Sequence, residues 1–264
     1  MVSGMSKPFL DYLAKCRALM DVIAAQDKAV GQAADWFAQT ILAGRMVHVF
    51  GCGHSRIMVE EMWPRYGSFP GFNPIVELSV SFHNLVVGAN GQRQAMFLEN
   101  VSGLAERILR NFALAPEDSA LVISSSGCNI VPVEMAEQFQ QRGVRVVAII
   151  SLAHANASES KRADGKKLQD FAEIILDTGA PPGDAMVTVP GLDEPVAPAS
   201  TIGGCLLVNG IKAEVAARLA AAGHPPLVLT APALVGAARS SEIFEAAYDE
   251  HARRLAKLYS GLGP

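Results

Sequence analysis

Twice in this chain a short apolar run ends in a cluster of glycine and serine and passes straight into a helical pattern. Met46 to Phe50 ends in Gly51-Cys52-Gly53-His54-Ser55, and Ala120 to Ile123 ends in Ser124-Ser125-Ser126-Gly127-Cys128-Asn129. Short apolar runs bounded by glycine or serine read as strands buried on both faces, the kind found in parallel sheets whose crossovers are helices. A helix N-terminus presents free backbone N–H groups and the positive end of its dipole. Glycine lets a ligand come close and serine hydroxyls add donors, so each loop is a candidate anion cradle. Pro132 sets the start of the second helix near Asn129, because proline is accepted only in a helix's first turn.

The flanking sequence repeats the same alternation. Apolar residues from Leu10 to Ile41 follow helical spacing twice, with a break near Gln26 to Lys28. A helix from Ser55 should stop by Trp63, since Pro64 disfavours helical geometry before it. Pro74 then precedes a second strand, Ile75 to Leu78. Leu98, Val101, Ala105, Ile108 and Phe112 mark one face of a single helix leading into the third strand. Ile130 to Gln141 reads as a helix, Val144 to Ile150 and Glu173 to Leu176 as strands four and five, and Thr178 to Pro198 as a long loop. An Ala-rich helix covers Ser200 to Ala222, and a last helix runs from about Ser241 to Leu258.

This pattern predicts an α/β fold, a doubly wound parallel sheet of five strands in the order 2-1-3-4-5, with helical N- and C-terminal extensions. The core domain is expected over 31–217, with extensions at 1–30 and 218–264. In that order strands one and three are neighbours at the switch point where ligands bind, so both loops should open on one crevice.

Charge narrows the partner. A formal net charge of -4 with dispersed Lys and Arg lacks the basic footprint of a nucleic-acid or anionic-membrane binder. The apolar stretches fall short of the roughly 20 residues that span a bilayer, and no basic, apolar leader opens the chain. Cys16, Cys52, Cys128 and Cys205 form no Cys-x-x-Cys pair, so no metal site or disulfide framework is expected and a cytoplasmic setting fits. A dinucleotide fingerprint starts at Gly51-x-Gly53, with Glu77 near the ribose-binding distance, but Arg56 stands where its third glycine belongs. The expectation is a small-molecule ligand and no cofactor.

Gly51-x-Gly53-x-Ser55 together with Ser124-x-Ser126-Gly127-x-Asn129 resembles the paired phosphate loops of the sugar-isomerase (SIS) domain family, over about Gly31 to Ala217. Within it, Ser151-Leu-Ala-His154, Gly165-Lys-Lys-Leu168, Pro181-Pro-Gly-Asp-Ala185 and Ser200-Thr201 are similar to an uncharacterised bacterial group. The resemblance implies a sugar-phosphate ligand, an oligomer, and a phosphate surrounded by Ser55, Ser124, Ser126 and Asn129; Gly53, His54, Ser125 and Gly127 of the same loops are further substrate-binding candidates, and the apolar faces of the N-terminal and Ser200 to Ala222 helices point to a homodimer or homotetramer. It further implies aldose-ketose isomerisation or a related enolisation, or alternatively a non-catalytic sugar-phosphate sensor.

Enolisation needs a base that moves a proton between adjacent carbons and a donor for the carbonyl oxygens. Glu99 occupies the region where the resembled isomerases carry a catalytic glutamate; alternatively it complements a helix dipole from the first turn. His83 after strand two and His54 in the first loop are the candidate acids, with His54 favoured for phosphate or sugar-hydroxyl contact; His154 is a further catalytic candidate because it follows strand four at the functional edge of the sheet, and the Ser200 to Ala222 helix lacks the histidine that sedoheptulose-7-phosphate isomerases place there. Asp184 either meets sugar hydroxyls or caps a turn. Lys161, Arg162, Lys166 and Lys167 form either a solvated face or a cover for the phosphate.

Overall fold

The computed structural model describes residues 7–81 and 91–260. Helices α1 (Pro8–Ala24) and α2 (Asp27–Leu42) lead into strand β1 (Val47–Gly51), a single turn at Gly53–Ser55, and α3 (Arg56–Met62). Strand β2 (Phe72–Ile75) is followed by α4 (Leu78–Ser81), α5 (Gly91–Leu98), α6 (Leu104–Leu109), β3 (Ser119–Ile123) and α7 (Ile130–Gln141). Then come β4 (Arg145–Ile150), α8 (Leu152–Ala157), β5 (Ile174–Asp177), and a hairpin of β6 (Ala185–Val187) and β7 (Val196–Pro198). Helices α9 (Ser200–Ala221), α10 (Pro232–Val235) and α11 (Ala237–Tyr259) complete the described chain.

The five main strands form one sheet in the order β2-β1-β3-β4-β5, every neighbouring pair parallel. Strand alternation divides the core between two faces. Val47, Val49, Leu121, Ile123, Val147 and Ile149 pack under α2, α3 and α9 with Phe37, Met62, Trp63 and Ile211. Ala120, Val122, Val146, Ala148 and Ile150 face α6 and α7 with Leu109, Met135 and Phe139. A smaller cluster joins Cys16 and Leu19 of α1 to Met186 and Val187 of the hairpin. No helix among the described residues is long and apolar enough to cross a membrane.

Four expectations are corrected. The second strand is Phe72–Ile75, not Ile75 to Leu78, and Pro74 lies inside it. As an edge strand, β2 tolerates a residue that cannot donate to a ladder. The single helix over 98–112 is two, because Gly103 adopts φ 86° and starts α6 afresh. The 178–198 loop carries a hairpin, in which Ala197 takes φ 67°. The last helix begins at Ala237, ahead of Ser241.

A buried polar cluster lies at the opposite end of the sheet from the loops. Arg45 Nε and Nη2 donate to the two oxygens of Asp118 at 2.8 and 2.7 Å, and His48 Nε2 faces Asp118 Oδ2 at 3.3 Å. Asn73 Nδ2 meets His48 Nδ1 at 3.0 Å, which ties β2 to β1. Burial opposes the charge of Asp118, but hydrogen bonds from His48, Arg45 and the Ala115 amide hold its pKa down to about 2. This cluster fixes strand register away from the crevice.

Candidate functional site

The Gly51 and Ile123 Cα atoms are partners across β1 and β3, so the two Ser/Gly loops leave the sheet side by side at its carboxyl edge. Gly53 takes φ 53° and Gly127 φ 63°, conformations that L side chains rarely adopt. Gly51 is required for a different reason: the first loop doubles back until Ser55 occupies the space a Cβ would need.

In the second loop, the Gly127 N–H donates to Ser124 Oγ at 3.2 Å and the Cys128 N–H to Ser126 Oγ at 3.3 Å. The loop's carbonyls turn the other way. Ser125 O accepts from Ser151 N at 2.9 Å, Gly127 O from Leu168 N at 2.8 Å, and Cys128 O from Lys161 N at 2.9 Å. Ser126 O accepts from Cys128 Sγ at 3.1 Å. The Asn129 and Ile130 amides have no partner among the described residues, and Ser125 Oγ is buried without one. The loop therefore offers donors on one side and has its acceptors satisfied on the other.

Asn129 is the N-cap of α7, yet its side chain makes no capping bond. Pro132, the third residue of the helix, lacks the N–H that such a cap would meet, and the Val131 N–H is taken by Glu99 O at 2.9 Å. Asn129 Nδ2 instead donates to Glu99 Oε1 at 2.9 Å. Glu99 follows α5 directly, with its own N–H bonded to Ala95 O at 3.0 Å. It stands after the last turn of α5 and not in a first turn, and its carboxylate lies at the head of α7 instead. Burial pushes the Glu99 carboxyl up to about 7, against the opposing pull of the Asn129 hydrogen bond. The Cys52 thiol of the first loop is also raised well above its usual value, by burial and then by the nearby Glu99 carboxylate.

The remaining predicted residues are placed as follows. His54 is exposed on the first loop and Ser55 half-buried. His154 lies in α8 with its N–H on Ser151 Oγ at 3.1 Å and its Nδ1 buried without a partner. His83 lies outside the described residues. Asp184, at φ 70°, accepts from Ala199 N, Ser200 N and Ser200 Oγ at 3.1, 2.7 and 2.8 Å, so its carboxylate caps the start of α9. Arg162 is held by Glu137 and Asp164, Lys167 Nζ donates to Ala155 O and Ser158 O, and Lys166 Nζ lies over the Phe171 ring, which engages three of the four basic side chains with the protein. A cavity of about 620 Å³ lies between α3 and α11, but its Glu60 and Glu61 are ion-paired to Arg56 and Arg65 and no loop of the crevice lines it.

Two features escape sequence reading. The Cys52 thiol feels the charge of Glu99, and the backbone of the basic run is pinned to the second loop. Only the Gly-x-Gly frame around Cys52 hinted at close approach.

The family model described as "SIS domain" matches residues 11–151 of the chain. A UPF0309 protein of Brucella canis is 34% identical over 223 residues, 84% of this chain and 87% of the relative. A UPF0309 protein of Geobacillus kaustophilus is 28% identical over 249 residues, 94% of this chain and 92% of the relative. A phosphoheptose isomerase from Francisella tularensis superposes with a TM-score of 0.50 at 15% identity, covering 80% of this chain and 98% of that one, which supports the shared fold.

Proposed function

This chain belongs to the SIS domain family, and from that premise we propose that it holds the phosphate of a sugar phosphate between its two Ser/Gly loops and enolises the sugar. The observation that carries this reading is the placement of Glu99, a carboxyl desolvated to a pKa of about 7 and hydrogen-bonded to the loop that would hold the phosphate. A base is most effective when its pKa lies near the working pH.

The phosphate oxygens accept from Ser55, Ser126 and the unengaged amides at the start of α7, with the helix dipole favouring their charge. Glu99 removes the proton from the carbon next to the sugar carbonyl, and the electron pair moves to the carbonyl oxygen. A donor must meet that oxygen, and His154, just past the carboxyl end of β4, is the candidate. Return of the proton to the neighbouring carbon, with transfer between the two oxygens, completes an aldose-ketose interconversion.

The test is to incubate the protein with a panel of sugar phosphates in deuterated water. Deuterium entering the carbon beside the carbonyl supports enolisation whatever the product. Tight binding without exchange would reduce the function to sugar-phosphate sensing.

A further inference from the structure

Glu99 is fastened to the first turn of α7 through its backbone and to the second loop through its side chain, by Val131 N to Glu99 O and by Asn129 Nδ2 to Glu99 Oε1, each 2.9 Å. The Asn129 amide has two hydrogens, and Glu99 occupies one. Asn129 Nδ2 at the start of α7 donates to the carboxylate, and the Cys52 thiol on the first loop lies within reach of its charge. Neither carries positive charge. The nearest titratable neighbour along that loop is His54, two residues from Cys52. An oxyanion at the head of α7 and an ionised Glu99 would be two negative groups sharing one neutral donor in a half-buried site. Such charges repel far more strongly than in bulk water.

We propose that the second loop and Glu99 form one proton-linked unit, in which an oxyanion at Ser126 to Asn129 is bound together with a proton on Glu99 and Asn129 is the positioning residue that couples them. The proposal rests on the phosphate-loop reading above. Linkage makes the effect reciprocal: the anion raises the proton affinity of Glu99, and the proton raises the affinity for the anion. A bound phosphate therefore makes Glu99 a stronger base once ionised, while moving the pH at which it ionises upward.

Sulfate is the probe, because it stays a dianion across the range tested and contributes no titration of its own. Calorimetry on the wild-type chain should show affinity falling about tenfold between about pH 6 and about pH 8.5, with proton uptake near pH 7.5 measured in two buffers of different ionisation enthalpy. In Glu99→Gln the affinity should be flat over that range and the uptake lost. In His54→Asn the fall should persist, and in Asn129→Ala it should shrink as binding weakens. Wild-type pH dependence retained in Glu99→Gln, or lost in His54→Asn, overturns the proposal. So does a full-sized fall in Asn129→Ala. Sulfate bound with no pH dependence overturns the linkage alone, while no sulfate binding by the folded wild type removes the phosphate-loop reading and the linkage with it.

Discussion

A Cβ on Gly51 would stand 2.9 Å from both the carbonyl carbon and the carbonyl oxygen of Ser55, and 3.0 Å from its Cβ. Backbone cannot step aside as a flexible side chain can. Gly51→Ala should therefore push the first loop off its path, at a cost of about 1 to 3 kcal/mol in stability. Urea unfolding should show the loss, and sulfate affinity should drop with it. Unchanged stability and binding would mean that the doubling back of this loop is not needed.

Ser126→Asp sets a carboxylate in the second loop beside the unengaged amides of α7. Affinity for sugar phosphates should fall by at least tenfold, since two anions would compete for one set of donors. Calorimetry that returns wild-type affinity in this variant would remove Ser126 from the anion site.

If Glu99 is the base, deuterium exchange must rise as it ionises. At sub-saturating sugar phosphate the rate should climb through about pH 7 and level off above it, following the raised pKa of the free protein rather than the ordinary carboxylate range. Glu99→Gln keeps the shape and removes the base, so exchange should fall by on the order of 10² while ligand still binds. Exchange at the wild-type rate in a folded Glu99→Gln protein would transfer the role to His154.

The same carboxyl has a stability signature. Its folded pKa of about 7 lies above the unfolded value of 4.5, so its contribution is fully present below pH 4.5 and is lost as pH rises through 7. Glu99→Gln escapes that loss. The variant should therefore gain stability over wild type, by about 1 to 3 kcal/mol more near pH 8 than near pH 5. Denaturant titrations at the two pH values measure this, and equal differences would place Glu99 in solvent.

Phe9, Leu10 and Met20 of α1 are 69%, 52% and 49% exposed, a concentration of apolar surface suited to burial against another copy. Light scattering at micromolar concentration should give a dimer or tetramer. A monomer mass would contradict it.

Much of this architecture is legible because it is local. The run Met46 to Phe50 and the helix Ile130 to Gln141 are carried by composition and by Pro132 alone, and the structure places strand β1 and helix α7 there. What failed depended on context. Pro74 reads as a strand breaker until β2 is known to be an edge, and Leu98 with Ala105 and Ile108 reads as one helix because both helices turn that face toward the same core. The site divides the same way. The loops are visible in sequence, whereas Asn129 and Glu99 are 30 positions apart, and nothing in either neighbourhood announces their bond.

The carbonyl side of the second loop is closed by Ser151, Lys161 and Leu168, each donating a backbone N–H to it. A peptide loop is ordinarily ambivalent, able to greet an ammonium with its oxygens as readily as a phosphate with its amides. Here that ambivalence has been removed by a segment that need never touch the ligand. On the proposed reading, discrimination between an anionic and a cationic sugar derivative would be set partly from behind, and loosening residues 158–168 would admit the wrong sign of charge before it weakened the right one.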